Sequence, residues 1–317
     1  MAGRIGLRRY SFLLGLSQRI SYQDRVRQLR NSWKVSRLWQ VCARHSTKLK
    51  LGSFFTTSLT VSRGFSLWSG KPKETVPVAE PVSISPDVAA AEEADRLYDA
   101  NKSTELYDHL VRFKDTTNDE LLWRLARACR CVAQLSSTSK EDKKRLTYES
   151  LDFAQRALKA NDNNFASHKW YAICLSEVGD YEGMKQKILN AFVIKDHFLR
   201  AIELNPQDAT SVHLLGLWYF TFADMAWYQR KIASAVFASP PTGTYEEALR
   251  MFLSAEKVSP NFYSKNLLML GKTYQKTGDN KSALLFLTKA RDYPVKTEED
   301  NQVKEEAKTI LASMGHK

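Results

Sequence analysis

The chain has 317 residues, 43 % hydrophobic and 26 % charged, a composition that excludes a disordered or collagen-like polymer. Mean hydropathy is −0.41, and no apolar run reaches the roughly 18 residues of a bilayer span, so an integral membrane protein is excluded too. Net charge is +12 at pH 7, an excess that points to nucleic acid unless it is confined to one segment.

It is confined. Residues 1–70 hold thirteen Lys or Arg against one acid, Asp24, while the rest of the chain balances 34 bases against 34 acids. That balanced part has no long-range attraction for phosphate, and no nucleic-acid partner is expected. The leader is rich in Arg and Ser. Arg4, Arg8 and Arg19 alternate with Ile5, Leu7, Phe12, Leu13, Leu16 and Ile20, the amphipathic pattern of a mitochondrial transit peptide. Arg63-Gly64-Phe65-Ser66 resembles a matrix processing site. The alternatives to a transit peptide are a cationic arm for acidic surfaces and an inert basic tail. Residues 71–86 carry Pro72, Pro77, Pro81 and Pro86 and read as an extended linker. The folded region is expected over 87–317, with Asp87 as its first helix N-cap.

From there the chain reads as helix. Leu270-Gly271-x-x-Tyr274, then Gly278-Asp279, Ala283, Leu287 and Ala290, form the tetratricopeptide (TPR) pattern of two short antiparallel helices. Related sets open at Trp123 (with Ala154, Ala157 and Leu158) and at Trp170 (with Gly179-Asp180-Tyr181 and Ala201). Another opens at Leu215-Gly216-x-x-Tyr219, with Tyr245, Ala248, Phe252, Ala255 and Pro260. Leu97, Leu106, Leu110 and Phe113 suggest a degenerate opening pair about an Asn101-Lys102 turn. The small residue of each second helix recurs at Ala157, Ala201, Ala255 and Ala290, at intervals of 44, 54 and 35, against about 34 for a regular repeat. The array is therefore irregular. A first insertion lengthens the helix over 181–204. A second, 221–243, adds an apolar helix around Trp227, Ile232, Val236 and Phe237 that ends at Pro240-Pro241. Residues 298–314 read as a capping helix. The expected fold is all-α: an irregular TPR-like solenoid of helical hairpins, capped at its C-terminus and preceded by the basic leader.

Catalytic chemistry is not expected. Cys42, Cys129, Cys131 and Cys174 lack zinc-ligand spacing, the six His are scattered, and no phosphate-cradling loop or nucleophile elbow occurs. Catalytic, metal and cofactor residues are therefore expected to be none. Glu92-Glu93, Glu246-Glu247 and Glu298-Glu299 read as acids at helix starts. What remains is the concave groove of a TPR array, lined by the first helix of each pair and able to hold peptides or helices. Registering the units places Arg124, Tyr171, His213, Lys265 and Lys272 there, a mildly basic and aromatic surface suited to an acidic or phosphorylated peptide. Leu214 and Met269 stand where a chaperone-reading carboxylate clamp needs polar side chains, which disfavours that adaptor role.

Three long blocks are more specific than bare repeat positions. They are Glu120-Leu-Leu-Trp-Arg-Leu-Ala-Arg-Ala, the run 165–183 from Phe165-Ala-Ser-His-Lys-Trp-Tyr to Gly183, and Asn261-Phe-Tyr-Ser-Lys-Asn-Leu-Leu-Met-Leu-Gly-Lys-Thr-Tyr274. With Tyr293-Pro294 and Thr297-Glu-Glu-Asp300, they resemble the regulator of microtubule dynamics family from about Val88 to the C-terminus. The resemblance implies a non-enzymatic TPR protein associated with microtubules, spindle and spindle poles, with a role in chromosome segregation. Tubulin or spindle proteins are the partners it implies, and cytoplasm and cytoskeleton the location. A related member binds phospholipid through its TPR domain at mitochondria, so phospholipid and a mitochondrial site form the alternative. Tubulin's surface is acidic, so binding falls to the leader or to basic patches at 140–145, 185–195 and 229–231.

Overall fold

A computed structural model of the chain describes residues 85–237 and 240–315. The leader, linker positions 71–84 and Cys42 lie outside the described residues. Helices follow one another as α1 (Pro86–Asp99), α2 (Ser103–Leu110), α3 (Asp119–Ala133), α4 (Lys140–Ala160), α5 (Phe165–Glu182) and α6 (Met184–Leu204). Then come α7 (Ala209–Ala223), α8 (Trp227–Val236), α9 (Tyr245–Val258), α10 (Ser264–Thr277), α11 (Asn280–Arg291) and α12 (Glu298–Ser313). No strand occurs among the described residues.

Most helix starts have a side-chain cap that the sequence carries. Asn118, Ser139, Asn164, Asp208 and Asp279 each accept a first-turn N–H, and Thr244 with Glu247 and Thr297 with Asp300 form reciprocal capping boxes. The first helix departs from expectation. Ser85 is its N-cap, accepting from the Val88 N–H, and Pro86 fills the first helical position, so Asp87 sits inside the first turn. Glu92-Glu93 likewise lies within α1, where Glu93 pairs with Arg96 at 2.6 Å instead of serving a helix start. Gly179-Asp180-Tyr181 stays helical. The break falls at Gly183 with φ +86, and α6 therefore begins at Met184 rather than 181. Asn101 at φ 56 makes the expected turn of the opening pair.

Neighbouring helices pack as hairpins, α1 with α2, α3 with α4, α5 with α6, α7 with α9 and α10 with α11, while α12 covers α10 and α11. The repeat spacing shows why. Ala157, Ala201, Ala255 and Ala290 are all buried, because each second helix needs a small residue where it crosses its partner. Gly271 is the tightest crossing: a Cβ there would stand 2.6 Å from Leu287 Cγ. Gly216 plays the same part against Phe252, at 2.8 Å. The hairpin of α7 and α9 forms around the second insertion, whose helix α8 leaves that pair and packs on α6.

Candidate functional site

The face expected to line a groove begins with α1, α3 and α5, whose side chains meet at an arginine ladder. Arg124, Arg127 and Arg130 recur every three residues on α3, one above another. Asp95 of α1 accepts from both Arg124 and Arg127 at 2.6 Å, Glu120 pairs with Arg124 at 2.6 Å, and Glu177 of α5 takes Arg130 at 2.6 Å. Arg127 lies over the rings of Tyr98 and Trp123, 4.0 and 5.0 Å from their centroids. Burial would raise the Asp95 carboxyl, but the two guanidiniums hold it below its ordinary value.

The remaining groove cations follow the same rule. Lys169 reaches Asp208 at 3.1 Å, Lys265 reaches Glu299 at 3.2 Å, and Lys272 reaches Glu306 at 2.7 Å. Each bond joins a first helix to another element along the array. The face expected to be mildly basic is therefore charge-balanced, and Arg124, Lys265 and Lys272 stitch helices together within it.

His213 is a correction. Its ring is 1 % exposed, shares a hydrogen bond with Asn266 Oδ1 at 2.9 Å, and meets Tyr263 edge-on at 5.1 Å. Burial pushes its pKa down to about 4. It is a core residue between α7 and α10, not a groove contact. Periodicity assigns a residue to a first helix, but it cannot separate the groove-lining arc from the arc one turn round that packs on the next helix. Tyr171 is half-buried with its ring edge on His197, 4.6 Å between centroids. His197 in turn meets His168, Nδ1 to Nδ1 at 2.8 Å, while His168 Nε2 lies 2.8 Å from the Asp162 carbonyl. The carbonyl only accepts, so His168 donates to it and takes the His197 proton donor on its other nitrogen. Burial lowers both imidazoles, His197 to about 4. His168 and His197 are thus a hydrogen-bonded pair joining α5 and α6.

Behind this face the structure opens a cleft of about 400 Å³ between α5, α6 and α7. Its walls are mostly apolar, among them Ile173, Ile188, Ile194, Leu214, Leu217 and Trp218, with Met225 lining it from the approach to α8 and Gln229 from α8 itself. Arg130, Glu177 and Lys187 are its charged lining groups. Trp218 Nε1 donates to the Ala191 carbonyl at 2.9 Å, so the indole brings no unpaired donor to the cleft. Leu214, noted in sequence only for displacing a clamp residue, is one of these walls. The apolar run Ile188, Ala191, Ile194 and Phe198 on the lengthened α6 was the available signal for the cleft.

Cys129 and Cys174 are buried and Cys131 half-buried. Burial pushes the thiols up, Cys174 to about 12, so they stay protonated and poorly nucleophilic. Among the described residues no group of three His, Cys, Asp or Glu could hold a metal ion. No described helix is long and apolar enough to cross a membrane.

Compared with known proteins, residues 90–315 match the family described as Regulator of microtubule dynamics protein 1-3. The chain is 59 % identical to Regulator of microtubule dynamics protein 1 of Pongo abelii over 226 residues, covering 71 % of this chain and 72 % of the relative. Identity to the Mus musculus protein of that name is 55 % over 245 residues, 76 % and 80 % of the two chains. The Homo sapiens protein is 63 % identical over 195 residues, 62 % of each. The crystal structure of a thermophilic TPR protein in Thermus thermophilus superposes with a TM-score of 0.50 at 14 % identity, covering 70 % of this chain and 98 % of that one. That likeness is one of fold, and the fold is TPR-like.

Proposed function

This chain belongs to the regulator of microtubule dynamics family, and from that premise we propose a non-enzymatic interaction protein that binds microtubules or spindle proteins through its helical array. Its place is the cytoplasm and cytoskeleton, at the spindle and spindle pole during chromosome segregation. The observation that carries this reading is 55–63 % identity, across the helical region, to proteins named for regulating microtubule dynamics. The fold supports it, since a TPR-like array offers extended surface rather than a reaction centre. Binding to acidic tubulin has a strong Coulomb component, so co-sedimentation with microtubules should weaken steeply as salt rises. A chain that stays in the supernatant at low salt would sink the proposal. Truncation should cut before Ser85, which caps α1. If the truncated chain pellets like the full chain, the leader is not the binding element.

The cleft between α5, α6 and α7 favours a second reading, a phospholipid-binding TPR protein. A half-open, mostly apolar cleft of about 400 Å³ with Arg130 in its lining suits an acyl chain beneath an anionic group. The leader makes mitochondria the corresponding location. Native mass spectrometry of the purified 85–317 chain tests the ligand, and absence of any co-purifying phospholipid counts against it. Sequencing the mature N-terminus from cells tests the location.

A further inference from the structure

We propose that the cleft between α5, α6 and α7 binds a single-chain zwitterionic phospholipid, a lysophospholipid, in preference to one with two acyl chains. This rests on the phospholipid reading above and names the class of ligand the site takes. Size comes first. The cleft offers about 400 Å³. At roughly 30 Å³ for each CH2 unit, about the share of one water molecule in the liquid, that is room for about thirteen units. One acyl chain of ordinary length fills it, with a few carbons left at the mouth. A second chain finds no space there and stays in water, which cancels much of the gain from burying the first.

The lining runs from apolar to polar as such a ligand needs. Ile188, Ala191, Ile194, Phe198 and Trp218 are buried, none more than 7 % exposed. Arg130 and Glu177 line the same cleft, and each leaves 29 % of its side chain exposed. The ion pair therefore marks the mouth, and the apolar walls lie behind it.

The mouth is neutral, and that selects the head group. Arg130 is matched by Glu177, and Lys187, the other cation of the lining, by Asp180. A ligand with net charge unbalances these pairs, whereas a zwitterion does not. The Arg130–Glu177 pair is also a one-point contact. Arg130 donates through Nε to Glu177 Oε1 at 2.6 Å, and Gln134 Nε2 donates to that same oxygen at 3.5 Å. Among the described residues no other hydrogen bond reaches the two Nη groups of Arg130 or Glu177 Oε2. The phosphate of the ligand can accept from the Nη groups while an ethanolamine ammonium donates to Oε2, with the original pair intact. Each charge of the head group then meets its opposite, one for one.

The test is a competition on the full chain. Phosphatidylcholine vesicles are doped equally with palmitoyl lysophosphatidylethanolamine, dipalmitoyl phosphatidylethanolamine, palmitoyl lysophosphatidic acid and palmitic acid. After equilibration the protein is separated from the vesicles, and its lipid is quantified by mass spectrometry against the input. One lipid per chain is expected, with the lysophosphatidylethanolamine enriched about tenfold over the diacyl lipid of the same head. Its enrichment over lysophosphatidic acid should be roughly fivefold, falling to parity in Glu177→Gln, a conservative change at the mouth. Met225→Trp, which fills the cleft from the approach to α8, should lower occupancy by every lipid while circular dichroism shows the fold retained. Equal or greater enrichment of a diacyl lipid overturns the single-chain assignment and leaves the phospholipid reading standing. Lysophosphatidic acid or palmitic acid enriched as strongly as the zwitterion overturns the head-group assignment, as does a Glu177→Gln chain with unchanged selectivity. Several lipids per chain, or undiminished occupancy in folded Met225→Trp, places the lipid outside the cleft and overturns the site. A chain that takes up no lipid refutes the phospholipid reading itself, and this assignment with it.

Discussion

Phe252 and His213 show how much one contact carries in a thin, two-helix layer. Phe252 is fully buried, fills the gap left by Gly216, and lies 5.4 Å from the His213 ring. Phe252→Ala should cost about 3–5 kcal/mol, read from urea unfolding, since it opens a cavity between α7 and α9. The His213 imidazole is held neutral by burial, with its folded pKa lowered to about 4 from 6.5. The unfolded chain therefore binds the extra proton first, and stability present above about pH 6.5 is lost as pH falls toward 4. That loss is roughly 3 kcal/mol from His213, and His197, also at about 4, adds in the same direction. The lowered carboxylates such as Asp95 titrate below that window. His213→Gln should flatten the slope of unfolding free energy between pH 6.5 and 4. A parent whose stability is level over that range would show that the ring is not buried in its neutral form.

At the scale of the element, the same residue type does two different jobs. Gly271 permits approach and Gly278, at φ +84, ends α10 in the left-handed region. Gly271→Ala should destabilise by about 1–3 kcal/mol through overpacking against Leu287. Gly278→Ala should cost about 1 kcal/mol through backbone strain alone, since nothing stands within 4 Å of its Cβ position. Thermal melts should rank the two in that order, and a reversed ranking would mean the α10–α11 crossing can relax. Element identity was legible because caps and small residues act locally. Boundaries were less so: Ser85 rather than Asp87 caps α1 because the serine oxygen, not the carboxylate, is placed to accept the Val88 N–H. The break at Gly183 rather than at Gly179 has the same origin. Gly179 sits against Lys187, where it is needed for close approach, and leaves the turn to the next glycine.

Charge separates stability from binding at the scale of the whole molecule. The Lys265–Glu299 and Lys272–Glu306 pairs are partly exposed and contribute about 0–1 kcal/mol each, while the more buried Arg127–Asp95 and Lys169–Asp208 pairs are little screened by salt. Raising salt about tenfold across the physiological range should thus move the melting temperature by no more than a few degrees, while microtubule pelleting falls steeply. A melt that collapsed together with pelleting would mean the salt effect on binding is only loss of fold. Of the five groove residues read from the repeat, all lie on the first helices assigned to them. Arg124, Lys265 and Lys272 bridge to neighbouring elements, Tyr171 packs on a histidine pair, and His213 is core. Repeat register places a residue along the array, but partner choice depends on polar groups 29 to 53 residues away in the chain.

Sequence alone determined that this chain is a stack of helical hairpins, because caps, turn residues and a recurring small residue are local features with local causes, and its three long blocks carried the family resemblance. It also determined that the excess charge belongs to the first 70 residues. Tertiary structure decided which cations are paired and with which acids. Balanced charge in a sequence says nothing of pairing, and only folding brought Asp95 to Arg127, Glu299 to Lys265, and α8 onto α6. The two insertions looked like interruptions of a repeat. Packed together, α6 and α8 leave Leu189, Val193, Leu199, Tyr228 and Ile232 exposed, in part because α8 packs chiefly on α6 and leaves its other sides to solvent.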